Sequence, residues 1–175
     1  APSFPPEFID RHDRIAGCAL SGPFARYIQR TNMCDLSDMM IPFGNLDDIF
    51  KIEFDELGRV PAKDHLMQLG GKAILRHNPQ TKELETLAIQ HADAGKASAW
   101  HYPKDEDWNK WQDVLMACMT TDTTVIRHLL NTHLIIAGTI SALTNKHFKA
   151  DHPLRRFLHP HTFGTLAINN YNVPI

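Results

Sequence analysis

A mainly α fold, built round one long buried helix and carrying a small β-hairpin, is what this sequence predicts. Three observations lead there. Between Trp108 and Lys149 there is no proline, and Gly138 alone interrupts a helix-compatible run. A second helical stretch restarts at His152-Pro153 and reaches Asn170, proline being suited to the first turn of a helix. Upstream, two short strand-like runs, Lys72–His77 and Glu85–His91, are joined by Asn78-Pro79-Gln80-Thr81-Lys82, the composition of a hairpin turn.

Residues 1–10 (APSFPPEFID) are proline-rich and read as an extended arm. From Arg11 to Thr31 small and apolar residues alternate with arginine, and Gly22-Pro23 breaks what is otherwise helical. Residues 32–70 hold Asp47-Asp48 and the turn formers Pro42, Gly44, Gly58 and Pro61, so irregular chain with one short helix is expected. Leu69-Gly70-Gly71-Lys72-Ala73 lacks the spacing of a phosphate loop and reads as a turn into the first strand. Residues 92–103 are polar, with Gly95 and Pro103, and read as loop. Asp105-Glu106-Asp107 could hold a hard cation, but acidic residues just before a helix ordinarily form a solvated cap. The long helix follows, apolar on nearly every face: Val114–Met119, Val125-Ile126, Leu129-Leu130, then Leu134 to Leu143. Such a helix belongs inside a core. The hundred or so residues before it are too irregular to surround it, so other chains or further domains are expected to cover it.

At 175 residues the chain suits one ordinary domain, with an apolar fraction of 43% and a charged fraction of 22%. A formal net charge of −2 and the absence of any basic run exclude the footprint of a nucleic-acid binder. No stretch of about eighteen apolar residues could cross a bilayer. Cys18, Cys34 and Cys118 are odd in number and lack a Cys-x-x-Cys spacing. That points to a reducing intracellular compartment or organelle rather than a disulfide scaffold.

Eleven histidines stand out, and spacing singles out two of them. His128 and His133 are five apart in the apolar helix, which on an α-helix puts their side chains about 140° apart. They could converge on one ion only where the helix opens to i→i+5 bonding, as π-bulges at functional sites do. Asn131 and Thr132, weak helix formers between them, favour such loosening. The alternative on spacing alone is two unrelated histidines.

The surroundings carry more. His-Leu-Leu-Asn-Thr-His-Leu-Ile (128–135) is followed by His-Pro-Leu-Arg-Arg-Phe-Leu-His-Pro-His (152–161), then Thr165-Leu166-Ala167-Ile168-Asn169. This order closely resembles the core signature of the lipoxygenases. Trp108, Leu87-Ala88-Ile89-Gln90, and the fragments around Asp13-Arg14, Gly22-Pro23 and Ile28–Arg30 are similar to further parts of that family. The resemblance covers about residues 11–170. It implies, after the extended arm at 1–10, a partial lipoxygenase-like helical catalytic domain at 11–175. It also implies dioxygenation of a polyunsaturated fatty acid bearing a cis,cis-1,4-pentadiene, with non-haem iron held by neutral imidazoles in a dry apolar channel. His128 and His133 match the first two metal ligands, and their gap favours the iron enzymes over the manganese branch. Leu129, Leu130 and Leu134–Ile136 match the apolar packing round them, whereas His152, His159 and His161 match positions that are not ligands.

Three departures accompany the resemblance. The family's third histidine, asparagine and C-terminal isoleucine carboxylate lie beyond the matching stretch, and Ile175 falls too soon after Ile168-Asn169 to take the last role. Thr124 and Ala137 stand where the family often has Gln and Glu. Asn170-Tyr171-Asn172-Val173-Pro174 replaces a basic continuation. Two readings follow: part of a lipoxygenase whose iron site a second polypeptide completes, or a catalytically inactive lipoxygenase-like domain serving as a structural subunit of a larger assembly.

Overall fold

Five antiparallel strands, rather than a lone hairpin, occupy the middle of the chain's first unit. The computed structural model describes residues 13–20, 22–40, 42, 44–93 and 96–172. It divides into two compact units, Ala1–Met119 and Thr120–Ile175. The arm expected at 1–10 and the terminal Ile175 lie outside the described residues.

In the first unit the strands are β1 (Gln29–Arg30), β2 (Ile49–Glu53), β3 (Gly71–Asn78), β4 (Glu83–Asp93) and β5 (Lys96–His101). Their order in the sheet is their order in the chain, every neighbour antiparallel. The expected hairpin is β3–β4, its turn closed by Lys82 at φ 59° with its N–H on the Asn78 carbonyl. β2 and β5 replace stretches expected to be irregular or loop, and β1 falls at the end of the stretch expected to be interrupted helix. The core forms where Leu36, Ile49, Ile74 and Leu87 meet, with Met39, Leu46 and Trp100 packed against them. Leu87 reaches it from a bulge, the register jumping from Ile74↔Ala88 to Leu75↔Thr86. A second irregularity between Gln90 and Ala92 re-aims His91. The His91 ring then lies 4.9 Å from Trp111, with Nε2 2.9 Å from the Gln68 carbonyl.

Helix α1 (Arg14–Ala19) is fastened by Asp13. That carboxylate caps the helix at the Ala16 N–H (3.0 Å) and also accepts from the Thr86 hydroxyl (2.7 Å) and backbone N–H of β4. Arg14 joins α1 to helix α2 (Trp108–Thr121): its N–H donates to the buried Gln112 Oε1 and its guanidinium to the Asn109 carbonyl and Asp113. Ile15, Leu115, Cys118 and Met119 are almost wholly buried. Burial pushes the Cys118 thiol up to about 11, against the smaller opposing pull of the Gly70 N–H on its sulfur, so the thiol is inert at neutral pH.

Lys51 on β2 sits between Asp35 (3.0 Å) and Glu53 (2.7 Å), with only 15% of its side chain exposed. Burial disfavours the Asp35 carboxylate, but Lys51, with the Asn32 N–H and the Thr31 hydroxyl, outweighs it and lowers the pKa below 3.8. A folded-state pKa below the unfolded one adds stability that is present above 3.8 and lost as pH falls through the lowered value. Asp35→Asn is therefore expected to cost about 1 kcal/mol at neutral pH. Urea unfolding should show that deficit shrinking at acid pH; a deficit independent of pH would exclude the ion pair as its source.

The second unit is helical among its described residues. A π-helix over Asp122–Ala137 passes without a break into α3 (Gly138–His147), followed by α4 (Pro153–Thr162) and α5 (Thr165–Asn172). His152 caps α4 through Nδ1 on the Leu154 N–H, Pro153 fills its first turn, and Gly164 at φ 77° turns the chain into α5. Two expectations are corrected here. The described chain is about half helical with a five-stranded sheet, so "mainly α with a hairpin" undercounts the strands. The long helix is continuous from Trp108 to His147, but within the π segment only Ala137 is buried. Val125, Leu130, Ile135 and Ile136 are exposed because nothing in the described residues covers them. No helix among the described residues is long and apolar enough to cross a membrane.

Candidate metal centre

The π-helix brings His128 and His133 together. An α-helix would splay side chains five residues apart, whereas a ladder of i→i+5 bonds sets them one above the other. Their Nε2 atoms lie 3.2 Å apart and their ring centroids 4.6 Å, the planes at 81°. Between them the Thr132 hydroxyl donates to the Arg127 carbonyl five residues back (2.9 Å), and Arg127 Nε is held on Asp122 (2.5 Å). Both contacts bridge one wide turn rather than a normal one.

A metal would find a usable donor pair here. Two metal–imidazole bonds of about 2.1 Å, separated by about 90–110°, place the nitrogens about 3.0–3.4 Å apart, and the observed 3.2 Å falls within that span. One Nε2–H donating to the other Nε2 would also hold the metal-free pair at this distance. His133 Nδ1 is buried and without a partner among the described residues. A ligating histidine ordinarily donates its second ring N–H to a carbonyl or carboxylate, so the acceptor for His133 has to come from elsewhere. His128 is exposed.

The neighbours expected around the pair are only partly in place. Leu129 and Leu134 are half-buried, while Leu130, Ile135 and Ile136 face outward. The Thr124 hydroxyl turns back to the Thr120 carbonyl (2.7 Å). Asn169, of the Ile-Asn pair, donates from Nδ2 to the Leu134 carbonyl (3.0 Å). His152 stacks on Phe148, His159 meets Phe163 and His161 meets Phe157. None of those three histidines approaches the pair.

Among the described residues no third His, Cys, Asp or Glu joins His128 and His133. The group of three with metal-binding spacing is His101, Asp105 and Asp107, at the end of β5 and the turn into α2. Sequence reading took the two aspartates as a helix cap and missed His101, because it treated 92–103 as loop. Asp105 accepts from the Tyr102 N–H (2.7 Å), upstream of the helix rather than in its first turn. Asp107 accepts from Trp111 Nε1 (2.5 Å) and faces His101 Nδ1 at 3.3 Å. The Trp111 N–H first, then His101, hold the Asp107 carboxyl below its ordinary range.

The fold carries a histidine pair whose ring nitrogens approach within one wide turn, and comparison with known proteins gives the family. The lipoxygenase family model matches residues 29–173. Linoleate 9S-lipoxygenase B of Solanum lycopersicum is 33% identical over 91 residues, 47% of this chain and 10% of that protein. The crystal structure of a lipoxygenase with the Delta413-417:GS change superposes with a TM-score of 0.71 at 20% identity, covering 94% of this chain and 29% of that one. Manganese lipoxygenase of Gaeumannomyces graminis gives a TM-score of 0.56 at 14% identity over 71% of this chain and 22% of its own. This chain belongs to the lipoxygenase family. It spans about a tenth of the curated relative and less than a third of these structures.

Proposed function

We propose that this chain supplies the first two iron ligands, His128 and His133, of a lipoxygenase-type dioxygenase acting on polyunsaturated fatty acids. The remaining ligands come from helices on a second polypeptide. The observation that carries this reading is the 3.2 Å approach of the two Nε2 atoms inside the π segment. When bound, non-haem iron supplies the redox step that makes the fatty acid reactive towards oxygen. The chain's own residues do the rest: two neutral imidazoles offer lone pairs from one turn, and Leu129 and Leu134 give the pair an apolar margin. The exposed Val125, Leu130, Ile135 and Ile136 and the partnerless His133 Nδ1 are what a second set of helices would cover and satisfy. The curated relative acts on linoleate by its name, which supports an 18-carbon polyunsaturated acid as the first substrate to try. Cys18, Cys34 and Cys118 form no disulfide, which favours a reducing intracellular compartment or organelle.

The second reading, a structural subunit without iron, is favoured by one observation: no third ligand stands near the pair among the described residues. Elemental analysis of the native assembly, purified without chelator, separates the two. About one iron per chain is expected, together with a co-purifying polypeptide that carries the missing ligand helices. A native assembly free of metal would leave the structural reading standing alone.

A further inference from the structure

At the junction of the π segment with α3, the ladder of backbone bonds changes register between Ala137 and Gly138. A ladder that steps from i→i+5 back to i→i+4 skips a carbonyl near the junction, and here the Gly138 N–H donates to the Ile135 carbonyl rather than to that of Leu134, four residues back. That carbonyl follows His133 directly. It is taken by Asn169 Nδ2 of α5 at 3.0 Å. The approach is possible because residue 138 has no side chain: a Cβ built there would stand 2.7 Å from Asn169 Nδ2, and the next nearest atom, the His133 carbonyl oxygen, is 3.8 Å away. Gly138 itself has ordinary helical dihedrals, φ −60° and ψ −47°, so its backbone does not need glycine. The amide does.

From this geometry we infer that Asn169 is a positioning residue, and Gly138 the space it occupies: together they latch the π register that brings His133 onto His128. The skipped carbonyl is the weak point of the wide turn. Without a donor it would be left unsatisfied, and the turn could relax towards α geometry, which swings His133 away from its partner. The amide acts from outside the helix, on a different element, and touches neither imidazole. Its own Oδ1 is buried with no partner among the described residues, so the side chain is held there by its donor end. The meaning of this latch for a metal rests on the function proposed above; the latch itself does not.

The test uses the full chain in four forms: wild type, Asn169→Ala, Gly138→Ala and the double variant. Amide exchange of residues 128–140 is measured on the metal-free protein, and cobalt(II) affinity and visible absorption on the loaded one. Each single substitution should speed exchange about 10-fold around residues 134–139, the loss of one hydrogen bond. Each should also weaken cobalt binding about 10-fold, as outer contacts to ligands do. The double variant should be no worse than Asn169→Ala alone, since the added methyl then meets nothing and alanine is the better helix former. Should the Asn169→Ala chain not fold, Asn169→Asp keeps the shape and removes the donor, and it should show the same faster exchange. Additive damage in the double variant, or unchanged exchange in Asn169→Ala, would overturn the latch. A wild type that binds no cobalt while exchange follows the expected pattern would keep the latch and sink the metal function instead.

Discussion

His133→Ala should lower the affinity of the chain for a divalent transition metal by about 100-fold or more, with no loss of folding. The reason is chelation. With both rings in place, Nε2 atoms 3.2 Å apart can hold one ion between them; with one removed, His128 is an isolated exposed imidazole like His152 or His159. Loss of contacts around a ligand already costs about 10–100-fold, and loss of a ligand costs at least the upper figure. Stability should hold because His133 Nδ1 is buried with no partner among the described residues, so the substitution removes an uncompensated polar atom along with the ring's packing. Titration calorimetry with cobalt(II) near neutral pH reads the effect directly. His159→Ala is the control, since its ring meets only Phe163. Equal affinity in wild type and His133→Ala would remove the pair as a metal site.

Gly71→Ala should cost about 3 kcal/mol or more. Gly71 opens β3 with φ 134°, a conformation that side chains rarely adopt, and a Cβ there would lie 2.4 Å from the Gln90 carbonyl oxygen and 3.1 Å from the His91 Cα. Both are backbone atoms of the neighbouring strand, so relief requires moving β4 away from β3 where Gly71 lies opposite His91. Conformational strain of about 1–3 kcal/mol and overpacking of similar size add at one site. Urea denaturation checks it; a loss below about 1 kcal/mol would mean that this end of the β3–β4 pairing yields freely.

What could be read from sequence was whatever local spacing enforces. Five residues between histidines leave only a π turn as a route to convergence, and the chain takes it over sixteen residues, Asp122–Ala137. The His152-Pro153 restart and the β3–β4 turn are likewise local chemistry. β5 escaped because Lys-Ala-Ser-Ala lacks the β-branched and aromatic signal of a strand; its identity comes from pairing with β4. β2 escaped because five residues among turn formers carry no clear period. Burial of the long helix was misjudged for a different reason. Apolar composition tells that a surface seeks cover, not which chain provides it, and Ile135 remains 59% exposed here. The Asn169–Gly138 contact joins residues from two helices, and only the folded second unit makes it visible.

The strand order of the first unit has a consequence for how the chain reaches this state. Because β1 to β5 pair strictly in sequence, each strand can add to its predecessor across a local connection, short after β3 and β4 and longer after β1 and β2. Such low-separation contacts form early and quickly. The hydrogen bonds of Arg14 with Asn109, Gln112 and Asp113 span 95 to 99 residues, and they must wait until α2 exists. During synthesis the meander can therefore zip up behind the ribosome strand by strand, with α2 arriving last to lock α1 in place. The histidine-bearing helix, translated later still, emerges behind a unit whose sheet is already assembled.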